Sequence, residues 1–371
     1  MPERAAPLVL VATPRQDQPF GSYAAVSAAG QQLLAAELSQ RLGSLGAAVA
    51  PLGAEATEEF HWGTWFVAGA RAALAANGAL DAIGYAGAGS LALLRDAHLD
   101  DLLSPLKGEV VANNRFSADA FVVAGDLELA LSSLEACATD NGAARCLESA
   151  GFGVRDLGSV PFSRFDVDTP LDLALLRLAT RLPTSRELAP GVARFLEMAL
   201  LPGAHPLEVP KLAEIGAIMR DRSAELVVSG RVPVDAWQYL ERETACRVRC
   251  FIEERGMRSA RQARPRSLLA ALLARSSPRD LVDELSRLGD AVVLDSRVLM
   301  AARAGSAEAS AWPPEEERFA ADFGDPSAIA TDWLRELAEA AAAAPVPWLM
   351  GGHALVSDGL RLLVDAAWQG H

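Results

Sequence analysis

The feature that most limits the fold of this chain is a repeating order of strand-like and helix-like runs that starts near its first residue. Residues 8–12 form a short apolar run, and 31–42 carry apolar positions at helical spacing. A second helix pattern at 66–76 precedes a strand pattern at 82–85. A helix is expected at 91–103, strands at 109–112 and 120–123, a long helix over 127–150, a strand at 154–157 and a helix from 171. Strand followed by helix, repeated, builds a mostly parallel sheet covered by helices.

Between residues 181 and 210 this order breaks. Leu182-Pro183-Thr184-Ser185, Ala189-Pro190-Gly191 and Leu201-Pro202-Gly203 are turn-forming stretches that punctuate rather than continue an element. Beyond them strand patterns return at 225–228, 247–252, 291–294 and 348–350, with helix patterns between. The chain therefore reads as α/β twice: a first domain over 1–180, a linker region over 181–205, and a smaller, doubly wound Rossmann-like domain over 206–371. A length of 371 residues suits two cores better than one. The polar stretch 305–326, with Trp312-Pro313-Pro314 and Glu315-Glu316-Glu317, is expected as a long loop of the kind that forms lids.

Charge and composition exclude some partners. The net charge is −14, whereas a nucleic-acid surface needs clustered Lys and Arg. No uncharged apolar run approaches the ~20 residues that cross a bilayer, so no membrane partner is expected. Met1-Pro2-Glu3-Arg4 leads into an apolar run too short for a secretory leader, which makes the cytoplasm the expected compartment. Cys137 and Cys146 fall in an expected helix and Cys246 and Cys250 in an expected strand, where four residues span ~13 Å, too far for a bond. All four are expected as reduced thiols. The only lysines are Lys107 and Lys211, so lysine chemistry has few candidates.

The sharpest motif is Phe165-Asp166-Val167-Asp168-Thr169-Pro170-Leu171-Asp172-Leu173. Thr169 suits a helix N-cap, Pro170 the first helical position and Asp172 the return bond of a capping box. A helix start accounts for these three but not for Asp166 and Asp168. Alternating with Val167, those two carboxylates point to one side, and like charges side by side call for a cation or a donor.

This segment resembles the Asp-x-Asp-Thr-Pro-x-Asp-Leu signature of MobA-like nucleotidyltransferase domains, which include molybdenum-cofactor and phospholactate guanylyltransferases and share the glycosyltransferase-A type fold. The resemblance covers about residues 7–180. It implies Mg²⁺ held by Asp166 or Asp168 against nucleotide phosphates, and a nucleoside triphosphate whose nucleotidyl group passes to a small anionic acceptor. It also places nucleotide-binding positions at Asn113, Asn114, Ser117 and Asp119 in a polar loop. After the central strand Gly87 and Gly89 would let backbone approach a ligand closely, such as a phosphate at the helix expected after Ser90, or would simply make a tight turn. Arg15 is the remaining phosphate candidate. Two features depart from the family. The loop after the first strand, Thr13-Pro14-Arg15-Gln16-Asp17-Gln18-Pro19, lacks the glycines and lysine that wrap a triphosphate, and the central strand ends in Gly87-Ala88-Gly89 where the family has an acid. A catalytically eroded domain that binds a ligand or acts as a scaffold is therefore the alternative.

In the second half four strand runs each end in polar residues: Ser229-Gly230-Arg231, Glu253-Glu254-Arg255-Gly256, Asp295-Ser296-Arg297 and Gly351-Gly352-His353. If the strands are parallel, these ends share one edge, where open α/β sheets bind ligands. Arg231, Arg255, Arg297 and His353 are thus candidates for an anion site. Local pairing of Arg255 with Glu253 and of Arg297 with Asp295 is the plainer alternative.

Overall fold

The computed structural model of the chain describes residues 6–14, 18–19, 21–53, 60–78, 80–183, 186–254, 257 and 265–369. By its contacts the chain forms two compact units. The first comprises Met1–Gln18, Ala28–Asp168 and Leu188–Val192; the second comprises Pro19–Ser27, Thr169–Glu187 and Ala193–His371. Both are α/β.

Six strands build the sheet of the first unit: β1 (Leu8–Ala12), β2 (Ala48–Leu52), β3 (Ala82–Ala86), β4 (Glu109–Ala112), β5 (Ala120–Ala124) and β6 (Gly153–Asp156). Their order is β2-β1-β3-β5-β4-β6, with β5 antiparallel to both neighbours and the remaining pairs parallel. Side chains alternate across a strand, and both faces are buried here. Leu8, Leu10, Ile83, Val110 and Phe121 enter one apolar cluster, while Val9, Val11, Val111 and Val122 enter the other. That two-sided burial explains why β1, β4 and β5 read as unbroken apolar runs. β2 was not legible, because Pro51 interrupts Ala48–Leu52; proline is tolerated in it since it is an edge strand.

The helices with residues in this unit are α1 (Tyr23–Ser44), α2 (Trp62–Asn77), α3 (Asp96–Leu102), α4 (Leu127–Glu135) and α5 (Ala143–Ser149). Two expectations are corrected. Residues 88–93 form turns instead of opening a helix over 91–103, and Leu91 sits at φ +60° there. The long helix over 127–150 is interrupted by a short 3₁₀ turn at Asp140–Gly142, where Asp-Asn-Gly favours a turn over helix. That break folds the segment back and joins Cys137 to Cys146 in a disulfide, with Cα atoms 6.9 Å apart, so these two are not the reduced thiols expected from the sequence. Cys246 and Cys250 are free. Burial, with Glu241 adding, pushes the Cys250 thiol up to about 11, which keeps it protonated and unreactive near neutrality.

The second unit takes the helix α6 (Pro170–Ala179), which the sequence had assigned to the first domain. Its apolar face is nearly all buried, and Leu171 and Leu175 lie against Gly351 and Gly359. After α7 (Pro190–Met198) and the small ladder of β7 (Leu200–Leu201) with β8 (His205–Pro206) come α8 (Leu212–Arg220), β9 (Glu225–Gly230), α9 (Val234–Glu243) and β10 (Arg247–Ile252). They are followed by α10 (Leu268–Leu273), α11 (Pro278–Ser286), β11 (Ala291–Asp295), α12 (Ser296–Ala304), α13 (Glu315–Asp322), α14 (Asp332–Ala343), β12 (Trp348–Gly351) and α15 (Leu360–Trp368). The main sheet is β10-β9-β11-β12, parallel throughout.

The expected loop at 305–326 is largely ordered. Pro313-Pro314 stops the preceding segment, three glutamates favour the start of α13 through its dipole, and Phe319, Ala320 and Ala321 bury its inner face. Glu316 then accepts the backbone N–H groups of Tyr23 (2.8 Å) and Ala24 (3.0 Å), and the Tyr23 ring stacks on Phe323 at 5.8 Å. These bonds, nearly 300 positions apart in sequence, draw residues 19–27 into the second unit. Among the described residues no helix is long and apolar enough to cross a membrane.

Candidate functional site

At the carboxyl end of β3 the chain turns at Gly87-Ala88-Gly89-Ser90. Gly87 N–H donates to the Asp119 carbonyl (2.9 Å), and the Ser90 hydroxyl donates to the Gly87 carbonyl (2.9 Å). Ser90 therefore closes the turn, and with no helix starting at 90 there is no helix N-terminus here for a phosphate. The close approach that Gly89 permits is used by the protein itself. A Cβ at Gly89 would lie 2.2 Å from the Val167 carbonyl oxygen, because residues 165–168 cross directly over it. Val167 N–H donates to the Gly89 carbonyl (3.2 Å), and Gln31 Nε2 donates to the Val167 carbonyl (2.8 Å).

This clamp decides how the aspartates are presented. Val167 is fully buried between them, Asp166 is half-buried and Asp168 is exposed. Asp166 Oδ1 also accepts the Val167 N–H (3.0 Å). The neighbourhood is acidic: burial raises the Tyr85 phenol well above its ordinary value, and Asp140, Asp166 and Asp119 add to the shift. Thr169 and Asp172 form the capping box of α6 as the sequence indicated.

The polar loop between β4 and β5 is held by hydrogen bonds of its own and by others to Ser163, Asn141 and Glu148 outside it. Asn113 is buried; its Nδ2 donates to the Ser163 carbonyl (3.0 Å) and to Asp119 (3.3 Å), and its Oδ1 accepts from Ala120 N–H (3.0 Å). Asn114 caps Phe116 N–H (3.1 Å), Ser117 bonds Asn141, and Arg115 pairs with Glu148. The loop thus joins Gly87, Gly89, Ser90, Asn113, Asp119 and Asp166 at one edge of the sheet, while Arg15 lies outside the described residues. Ser163 escaped notice in the sequence. It is buried beside Asn113, and its hydroxyl has no hydrogen-bond partner among the described residues. An isolated serine in a polar stretch carries no signal that would have revealed it; Gln31, a helix residue far upstream, carries none either.

In the second unit the four parallel strands of the main sheet end on one edge. Arg231, leaving β9, forks onto Asp295 at the end of β11, with Nε–Oδ2 2.6 Å and Nη2–Oδ1 3.1 Å. Arg297 turns instead to Asp322 of α13, with both nitrogen–oxygen distances 2.6 Å. Arg297 and Asp295 are therefore not the local pair weighed from the sequence. Glu253 is likewise taken up locally, accepting Ser267 Oγ (2.5 Å) and Leu268 N–H (2.6 Å) at the start of α10. Arg255 lies outside the described residues. His353 follows β12, half-buried and close enough to act on Asp295.

Asp295 is wholly buried. Burial alone would raise its carboxyl, but the Arg231 guanidinium, with His353 and Arg297 behind it, holds it below the ordinary carboxylate range. A lowered folded value means that this pair adds stability above the unfolded carboxylate value and loses it as pH falls toward the folded one. Urea midpoints should thus decline below about pH 4. Unchanged midpoints from about pH 5 to pH 2.5 would contradict the pairing.

Among the described residues no group of three or more His, Cys, Asp or Glu side chains is placed to hold a metal ion. A shallow cavity of about 460 Å³, lined by Ser133, Gly142, Arg145, Cys146, Ser149 and Ala150, includes none of the sequence-predicted positions. No family model matches the chain, and no curated protein is significantly similar to it.

Proposed function

We propose that the first unit is a nucleotidyltransferase-like module that binds a nucleoside triphosphate with Mg²⁺ and passes a nucleotidyl group to a small anionic acceptor. The observation that carries this is the clamp on Val167. Gly89 and Gln31 fix the Val167 backbone between Asp166 and Asp168, beside the turn that ends β3. Two carboxylates fit Mg²⁺, which commonly takes one or two from protein and fills its octahedron with water and phosphate oxygens. Asp166 and Asp168 would hold it. When bound, the ion would neutralise charge on the phosphates during transfer. The chain's own part is to hold the segment between the two aspartates through Val167, next to the turn at Gly87–Ser90 that the polar loop supports through Asp119.

A specific observation favours the second reading, a catalytically eroded binder or scaffold. The glycines after β3 receive the protein's own backbone, and Ser90 is spent on Gly87. Thermal unfolding with a panel of nucleoside triphosphates separates these readings. Ligand at ~100 times its dissociation constant adds ~2.7 kcal/mol, a rise of several degrees. That rise should need Mg²⁺ and vanish in Asp166→Asn and Asp168→Asn, which keep shape but remove charge. Pyrophosphate release marks the enzyme, and a Mg²⁺-dependent rise without release marks the binder. No rise with any triphosphate removes both nucleotide readings.

A further inference from the structure

The order β10-β9-β11-β12 has a switch point. The chain leaves β9 for β10 on one side and then returns past β9 to β11 on the other. Crossovers diverging this way open a crevice at the carboxyl ends of the two strands between them, here β9 and β11. Arg231 and Asp295 stand at those two ends, and Gly230 lets them meet: a Cβ on it would lie 2.2 Å from Asp295 Cβ.

A guanidinium carries five N–H groups. Asp295 takes Nε–H and one N–H of Nη2, and its Oδ2 also accepts the Arg231 backbone N–H at 3.3 Å. The Nη1 group and the second N–H of Nη2 have no hydrogen-bond partner among the described residues. Nη1 is also not among the fully buried polar atoms, although the Arg231 side chain is only 13% exposed. The buried carboxylate thus fixes the inner edge of the fork and leaves the outer edge presented at the switch point. Arg297, by contrast, is turned wholly inward to Asp322 and Ser296.

The end of β12 is built irregularly beside this pair. A π-type turn at Leu355–Gly359 has Ser357 at φ −108°, ψ −113°, and the Ser357 hydroxyl donates to the His353 carbonyl (2.8 Å). Such turns recur at functional sites. This one follows His353 directly, at the same edge of the sheet.

We propose that Arg231 anchors a binding site in the second unit for the carboxylate of a small organic acid. One outward fork matches one planar carboxylate, two bonds to two oxygens. Behind it Asp295 balances Arg231 and Asp322 balances Arg297, and His353, which acts on Asp295, is a further nearby cation, so one open fork faces one carboxylate. This site stands apart from the nucleotide reading of the first unit and does not depend on it.

The test is modification of the full-length protein by phenylglyoxal, with peptide mapping of each arginine, in the presence of succinate, acetate or inorganic phosphate. Succinate or acetate at ~10 times its dissociation constant should slow modification of Arg231 about tenfold, since the unliganded fraction falls as 1/(1 + [L]/Kd). The exposed Arg247 serves as the control and should not change. Arg231→Lys keeps a cation against Asp295 but lacks the fork, so any thermal shift given by succinate should disappear in it. Absence of protection at Arg231 by either carboxylate overturns the site. So does an Arg231 that stays inert with all added anions removed, because its outer edge would then be closed. Equal protection by phosphate overturns the choice of ligand class.

Discussion

Replacing Gly230 with alanine is expected to cost ~4 kcal/mol or more, placing it among the few single substitutions with so large an effect. Two independent features converge on this residue. Its φ is +123°, a conformation that L side chains rarely adopt. Its missing Cβ would also lie 2.2 Å from the Cβ of Asp295, well inside any real contact. Relief requires Asp295 to move, and Asp295 is fully buried with its oxygens committed to Arg231 and to the Arg297 N–H (3.2 Å). The strain therefore spreads into the ion-pair network instead of staying at the turn. Hydrogen exchange would report it as lost protection in β9 and β11, with the sheet of the first unit unaffected. A Gly230→Ala protein within ~0.5 kcal/mol of the parent, the range of an ordinary surface change, would mean that β9 and β11 do not meet in this way.

The same position shows what the sequence carries and what it does not. Apolar strand runs ending in Arg231, Asp295 and His353 were legible as parallel strands with polar ends, because parallel strands are buried on both faces and show little polar interruption. Which acid meets which arginine was not legible. The nearest acid to Arg297 in sequence is Asp295, yet its partner is Asp322, set by how α13 packs. In the first unit, Asp166-Val167-Asp168 stood out by alternation and Thr169-Pro170 by capping chemistry, and both are local properties. The clamp on the backbone between the aspartates depends on Gln31 and Gly89, which tertiary folding alone brings to Val167. Glycine at 89 signalled a close approach, but sequence has no means of saying whether a ligand or the chain itself fills the space. The disulfide follows the same logic, since only the break at Asp140–Gly142 lets Cys137 reach Cys146.

Asp322→Asn is expected to destabilise the second unit by about 3–5 kcal/mol, the usual cost of stranding one member of a buried ion pair. Arg297 and Asp322 are both almost completely buried and meet through two 2.6 Å bonds. Burial works against the guanidinium charge, but the Asp322 carboxylate outweighs it, and the Arg297 pKa is held above its ordinary value. The asparagine keeps the shape and one acceptor but leaves a cation with no counter-charge on its forked face. Much of the loss is thus the penalty of the stranded charge and not the worth of the pair, and a second substitution separates the two. Arg297→Met with Asp322→Leu removes both charges, so the double variant should recover most of the stability lost by Asp322→Asn. The contrast predicts that the ion pair sets geometry at the sheet edge more than it adds net stability. The measurement is urea unfolding of the parent, Asp322→Asn and the double variant, followed by hydrogen exchange in α12 and α13. If the double variant is as unstable as Asp322→Asn, the pair itself is the source of stability and the stranded-charge account fails.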